Sequence, residues 1–328
     1  MIVQHMNERS PGDAAGLEHL AARFGWSSRQ IRRIVTQQLG VSPMELVMTR
    51  RLLLAKQLLT ETSLPVTDVA FASGFASVRR FNDAFSRRYG MAPSRLRKAD
   101  GSTGAARAGV SQDRFSLMLS YRAPYDWTGT LRFLAARAMQ GVEHVEDDAY
   151  HRTVQVGAQR GWVRVTRATG RDALRAEIPH DLAAVLPAVL GRLRHLFDLA
   201  ARPDVINATL GGDPALRAAI KRNPGMRVPG AFDGFELAVR AILGQQVSVK
   251  AATTFGGRFA AAFGDVVDSP FAGLVRTAPT AARIAALRPE DVAAIGIVAA
   301  RARTIVAMAN EVSSGRLVLD PGADVERT

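Results

Sequence analysis

An internal repeat constrains this chain more than any other feature of its 328 residues. Leu20-Ala21-Ala22-Arg23-Phe24-Gly25-Trp26-Ser27 matches Val69-Ala70-Phe71-Ala72-Ser73-Gly74-Phe75-Ala76-Ser77. The offset is 49 at Gly25/Gly74 and becomes 50 by Ser27/Ser77, through one extra residue in the turn. It stays at 50 through Ile31/Phe81, Val35/Phe85, Gly40/Gly90 and Pro43/Pro93. Each copy reads helix, Gly-containing turn, Ser cap, helix, Gly stop, Pro, the layout of a helix-turn-helix. The Ser can accept an N–H at the start of the second helix. In the first copy Ile31, Ile34 and Val35 share one face, with Arg29, Arg32 and Arg33 opposite. In the second copy Phe81, Ala84 and Phe85 form the apolar face, and Arg79, Asn82 and Asp83 point away. A helix over Met44–Thr60 separates the copies and spans about 25 Å, against about 34 Å between successive major-groove faces. A plain helical bundle with two similar hairpins is the competing reading.

Charge favours the first reading. Lys and Arg number 43 against 30 Asp and Glu, a net +13. Residues 1–110 hold 16 of the basic and 8 of the acidic residues, more than half of the excess. A basic domain suggests a polyanion, most simply nucleic acid. The absence of cysteine rules out a disulfide scaffold, a cysteine nucleophile, an iron–sulfur cluster and a thiolate zinc site. Six scattered histidines show no metal-ligand spacing, so neither a metal nor another cofactor is expected. The N-terminus lacks the pattern of a secretory signal, and there is no run of 18 apolar residues. A cytoplasmic, nucleoid-associated protein without membrane partners is the expectation.

Residues 100–112 (DGSTGAARAGVSQ) read as a linker. Beyond it Phe115, Leu117 and Leu119 alternate with Ser116, Met118 and Ser120, as in a half-buried strand. Further β-like runs are Val142–Val145, Arg152–Val156, Trp162–Val165 and Leu174–Ile178. Helices are expected over Gly129–Met139 and Ala183–Leu199. From about Pro203 the strands stop. Helices are then expected near Asp213–Lys221, Asp233–Leu243, Ser248–Ala262, Thr280–Ala286, Pro289–Ile295 and Ala299–Val312.

Three stretches of the first unit carry a family likeness: LAARFGWSSRQIRR…LGVSP, RRLLLAKQLL, and VTDVAFASGFASVRRFNDAFSRRYGMAPSRLR. Over about Leu17–Lys98 the chain resembles the DNA-binding domain of AraC-type transcription regulators. The resemblance implies double-stranded DNA as partner. It implies DNA-contacting roles for Ser27, Ser28, Arg29, Arg32 and Arg33 in the first motif, and for Arg79, Arg80 and Asn82 in the second. Arg can fork onto guanine and Asn onto adenine.

Further on, Tyr121-Arg122-Ala123-Pro124-Tyr125-Asp126-Trp127 runs into Leu131-Arg132-Phe133-Leu134-Ala135-Ala136-Arg137-Ala138. Pro229-Gly230-Ala231-Phe232-Asp233-Gly234-Phe235-Glu236 runs into Val239-Arg240-Ala241-Ile242-Leu243-Gly244-Gln245-Gln246-Val247-Ser248. With Arg194–Leu199 and Pro279–Val312, these resemble the DNA-3-methyladenine glycosylase II family of helix-hairpin-helix glycosylases over about Phe115–Thr328. The resemblance implies a protein that flips alkylated purines into a pocket. It implies that Phe133 lines the pocket, with Trp127 and Tyr125 supporting its wall, and that Gln246 beside Gln245 probes the DNA as a wedge. Core packing for the aromatics, and a helix cap with two exposed amides for the glutamines, are the structural alternatives.

The expected fold is multidomain and mainly α. An all-helical double helix-turn-helix domain occupies 1–99 and a linker 100–112. An α+β domain with a small antiparallel sheet covers 113–200, and a partial helical glycosylase bundle covers 201–328. The family implies a hairpin with a Gly-x-Gly turn and a catalytic Asp beyond the stretch ending at Thr328, so no catalytic acid is assigned. Asp233, Asp291 and Asp320 read as caps or surface charges. The expected function is a DNA-binding transcription regulator linked to excision of alkylated purines. The alternative is a DNA-binding regulator alone, without glycosylase activity.

Overall fold

The computed structural model describes residues 17, 18, 21, 25–62, 64–99 and 114–320. The linker expected at 100–112, most of the stretch Leu20–Phe24 and the tail from Pro321 lie outside the described residues. By its contacts the chain divides into two units. One holds the residues up to Leu117 with Pro179–Gly191, and the other holds Met118–Ile178 with Arg192–Asp320.

In the first unit, α1 (Ser28–Leu39), α2 (Pro43–Glu61), α3 (Val66–Ala72), α4 (Val78–Tyr89) and α5 (Pro93–Ala99) follow the repeat. Their ends are set by local chemistry. Ser27 and Gln30 form a capping box at α1, and Ser42 and Glu45 form another at α2. The Ser77 hydroxyl accepts the Arg80 N–H at α4. Gly40 and Gly90 end α1 and α4 with φ of 72° and 68°, left-handed values that a side chain resists. Ile31 and Val35 bury against Leu17, Ala21 and Val47. In the second copy Phe75, Phe81, Phe85 and Tyr89 form a chain of ring contacts, with centroids 4.6–5.5 Å apart.

An antiparallel sheet of five strands follows: β1 (Arg114–Ser120), β2 (Glu143–Glu146), β3 (Ala149–Val156), β4 (Gln159–Arg167) and β5 (Ala173–Pro179). Their order is β1-β5-β4-β3-β2. Asp147 and Asp148 join β2 to β3 with φ of 50° and 57°, as a two-residue primed turn requires. Between β1 and β2 lies α6 (Trp127–Ala135), shorter at its C-terminal end than the expected Gly129–Met139. The helix expected over Ala183–Leu199 is two elements, a 3-10 turn at His180–Val185 and α7 (Leu186–Leu196). Pro187 lacks an N–H and suits the first turn of a helix rather than its interior.

The helices beyond are α8 (Pro203–Gly211), α9 (Pro214–Arg222), α10 (Gly234–Gly244), α11 (Val249–Phe263), α12 (Ala281–Ala285), α13 (Pro289–Ala293) and α14 (Ala299–Ser313). α8 lies outside the helices expected from the sequence, although Pro203 in first position and Asp204 in the first turn are start signals. β-pairing also does not stop at Pro203, since isolated bridges join Gly141 to Leu274 and Val266 to Arg276. Phe235, Val239, Leu243, Phe259, Ile284, Ile297 and Ile305 belong to the core of these helices.

A buried ionic group ties α10 to β2 and β3. Arg152 is 2% exposed and reaches Glu236 (8% exposed) at 2.7 Å and Glu143 at 3.7 Å. Arg240 pairs with Glu236 at 2.9 Å and with Glu143. The Tyr150 hydroxyl donates to Glu143 at 2.6 Å. Burial and then the Glu143 carboxylate push that phenol well above its usual value. Burial works to raise the Glu236 carboxyl, but Arg152 and Arg240 outweigh it and hold it below the usual carboxylate range.

Such a group stabilises the folded state above the unfolded value, about pH 4.3 for a glutamate. Its contribution is lost as pH falls through the lower folded value. Glu236→Gln should therefore cost about 3–5 kcal/mol at neutral pH by leaving buried guanidinium charge unpaired. It should also flatten the acid limb of stability, as read by urea unfolding from neutral pH downward. An acid limb as steep as that of the unaltered protein would show that Glu236 does not carry the transition.

Candidate nucleic-acid interface and aromatic face

The two repeat helices present similar outer faces. On α1, Arg29, Arg32 and Arg33 are exposed and Ser28 is half-buried. Ser27 precedes the helix, and its hydroxyl is engaged as the cap that accepts the Gln30 N–H at 3.2 Å. On α4, Arg79, Arg80 and Asn82 are exposed while Phe81 and Phe85 are fully buried. Among the described residues none of these five arginines pairs with a carboxylate. Neither helix has an acidic residue in its first turn. Arg29, Arg79 and Arg80 thus stand at helix N-termini, adding positive charge where the helix dipole is already positive. A helix N-terminus so dressed is an anion-binding surface, and the phosphates of DNA are such anions.

In the second unit, α6 carries two of the singled-out aromatics on different sides. Asp126 caps the helix through the Gly129 N–H at 2.8 Å. Trp127 points inward at 3% exposure, and its indole N–H donates to the Asp148 carbonyl at 3.2 Å. Its ring lies 5.6 Å from that of Phe197. Tyr125 is buried too, and its hydroxyl donates to the Phe197 carbonyl at 2.9 Å. Burial raises that phenol above its ordinary value. Phe133 is 40% exposed and faces outward. The Arg137 guanidinium lies over its ring, 3.9 Å from the centroid.

At the far end of α10, Gln245 and Gln246 are both exposed. Gln245 caps the helix, and its carbonyl accepts from Arg301. Gln246 has a φ of 54°, a left-handed conformation that costs an ordinary residue roughly 1–2 kcal/mol. Such strain gathers at functional sites. The glutamines stand out in the sequence, but no local pattern announces this conformation.

The carboxylates weighed in the sequence have local partners. Asp233 accepts the Glu236 N–H at 3.1 Å and pairs with Arg192 at 3.2 Å. Asp291 accepts the Arg288 N–H at 3.0 Å and pairs with its guanidinium. Among the described residues no group of three or more His, Asp or Glu side chains is gathered to hold a metal ion. No described helix is long and apolar enough to cross a membrane.

Three family models match the chain. They are a helix-turn-helix domain over residues 20–99, the AlkA N-terminal domain over 116–233, and the HhH-GPD superfamily of base excision DNA repair proteins over 239–326. A protein of Mycobacterium tuberculosis described as a probable bifunctional transcriptional activator/DNA repair enzyme AlkA is 39% identical over 318 residues. That match covers 96% of this chain, which spans 62% of the length of that relative. DNA-3-methyladenine glycosylase 2 of Escherichia coli is 38% identical over 209 residues, covering 64% of this chain and 71% of that protein. The solved 3-methyladenine DNA-glycosylase of Archaeoglobus fulgidus shares the fold, with a TM-score of 0.51 at 22% identity. That alignment covers 59% of this chain and 66% of the other. Fold and matches together define a helix-turn-helix domain joined to a base-excision glycosylase fold. The chain belongs to the DNA-3-methyladenine glycosylase 2 family and carries an AraC-type helix-turn-helix domain on its N-terminal side.

The opposite burial of two aromatics on one helix has a measurable consequence. Trp127→Ala should cost about 3–5 kcal/mol of stability, as for a large core side chain. Phe133→Ala should stay near or below about 1 kcal/mol. Equal losses in thermal unfolding would show that Phe133 belongs to the core after all.

Proposed function

We propose that this chain is a DNA-binding regulator linked to repair of alkylated bases, reading duplex DNA with α1 and α4. The observation that carries the reading is the set of exposed, unpaired arginines at the N-terminal turns of both repeat helices, in a chain that also belongs to a glycosylase family. Ser28, Arg29, Arg32 and Arg33 form the first contact face, and Arg79, Arg80 and Asn82 the second. Ser27 serves it as the cap that fixes the start of α1. Association with the nucleoid follows from this role.

The second unit then takes the damaged base. An alkylated purine carries positive charge on its ring, which weakens the N-glycosidic bond and favours stacking on an aromatic face. Phe133 is an exposed ring suited to that contact, whereas Trp127 supports the helix beneath it from the core. Gln246, held in a left-handed turn at the end of α10, is the residue that enters the stack and hydrogen-bonds to the base left unpaired in this reading. Cleavage of the glycosidic bond passes through an oxocarbenium-like state that a carboxylate stabilises. Asp233 and Asp291 are both engaged in helix caps and ion pairs, which favours DNA binding without base release as the second reading.

Two measurements test these readings. Replacing Arg29 or Arg33 with Ala should weaken duplex binding and lower the salt slope of log affinity by about 1 for each lost phosphate contact. Unchanged affinity and slope for both variants would remove α1 from the interface. Base release from alkylated duplex DNA by the purified 328-residue chain separates hydrolysis from binding. Release with a rate above that of DNA alone supports the glycosylase, and binding without release supports the regulator alone.

A further inference from the structure

Arg137 differs from Arg132, the other exposed arginine of α6 and the turn after it. Its guanidinium lies 3.9 Å from the centroid of the Phe133 ring, and one of its nitrogens donates to the Phe133 carbonyl at 3.3 Å. Among the described residues it pairs with no carboxylate. Its backbone is fixed from the other side. Arg240 donates to the Arg137 carbonyl at 3.0 Å, and Glu143 accepts the Met139 N–H at 3.1 Å. Arg240 and Glu143 both belong to the buried ionic group. The turn that carries Arg137 is therefore held rigidly while its side chain stays at the surface, laid on the one exposed ring of α6.

We propose that Arg137 is a specificity-determining residue of the Phe133 face, occupying the ring in the absence of a base and competing with a cationic base for it. This rests on the reading of Phe133 as a base-stacking residue. The electron-rich face of one phenyl ring attracts a cation, and the guanidinium already uses that attraction. A cationic purine must displace it, and a second positive charge then remains beside the bound base. A neutral purine displaces the same guanidinium without the like-charge penalty, and can stack beneath it. Arg137 therefore narrows the advantage that a cationic base holds over a neutral one. It sets a threshold that a base must exceed to be retained.

The test titrates the full chain with N7-methylguanosine, a cationic purine nucleoside, and with neutral guanosine, following chemical shifts of the protein. Arg137→Ala should strengthen N7-methylguanosine binding by about two- to five-fold, the factor of one exposed cation–π contact. Guanosine binding should change less. Arg137→Lys keeps the charge but loses the flat contact, and should remain closer to the unaltered protein than Arg137→Ala does. Arg137 is exposed, so neither variant threatens the fold. Equal changes for the two nucleosides, or none in Arg137→Ala while Phe133→Ala loses binding, would overturn the role of Arg137 alone. Binding unaffected by Phe133→Ala would overturn the stacking reading and the proposal with it.

Discussion

The buried group of Glu143, Tyr150, Arg152, Glu236 and Arg240 is the constraint on which the second unit depends. A lone charge moved from water into a protein interior costs several kcal/mol, so each member is tolerable only with the others in place. Two guanidiniums face two carboxylates, and the sum of charge is zero. Arg152 also lies 4.2 Å from the centroid of the Phe232 ring, which shields it further. The geometry binds three elements from distant parts of the chain. Glu143 lies on β2, Tyr150 and Arg152 on β3, and Glu236 and Arg240 are four residues apart on one face of α10. Packing of apolar side chains alone would leave α10 free to slide along the sheet. Fixed ion-pair distances do not.

That clamp reaches the candidate site through backbone atoms. Arg240 and Glu143 each spend one group on the turn after α6, holding the Arg137 carbonyl and the Met139 N–H. The same α10 ends in Gln245 and Gln246. The exposed ring of Phe133 and the strained glutamine turn therefore hang from one rigid ionic centre. Two groups proposed to act on one nucleotide would need that kind of common support, because a small misplacement is costly.

Which parts of this were legible in the sequence follows from the range of the forces involved. The helix-turn-helix copies were legible because their signals are local: Ser27, Ser42 and Ser77 start helices, Gly40 and Gly90 end them, and Phe81 and Phe85 recur at helical spacing. The sheet was legible as a set of strands but not in their lengths. β3 begins at Ala149 rather than Arg152, because buried Tyr150, His151 and Arg152 do not show the alternation of a half-exposed strand. The ionic centre was not legible. No local pattern marks its charged residues as partners, and only the fold shows that residues 84 to 97 positions apart meet. The split of the helix after β5 had a signal in Pro187, and α8 had one in Pro203. The first was outweighed by apolar periodicity across the break. The expected contact of Phe133 with a partner was drawn from resemblance, whereas the cover supplied by Arg137 required coordinates.

The arrangement of charge also separates folding from function. The ionic centre uses two arginines and two glutamates without changing net charge, so the excess of +13 must be carried elsewhere. Five of the described α-helices place acids in their first turn. Glu45 does so on α2, Asp68 on α3, Asp204 on α8, Glu236 on α10, and Glu290 with Asp291 on α13. Repeat helices α1 and α4 do the reverse, with Arg29 on one and Arg79 and Arg80 on the other. Each such charge opposes the helix dipole by roughly 0.3–1 kcal/mol when exposed. No intramolecular carboxylate among the described residues offsets that cost. Other helices also lack a first-turn acid, and α11, α12 and α14 carry Lys250, Arg283 and Arg301 in their first turns. What marks the repeat is that its two equivalent helices share the pattern, with Arg29 at the position of Arg79. An anion that arrives from outside would offset that cost, and two such helix ends in one repeat would suit an anion that is itself repetitive.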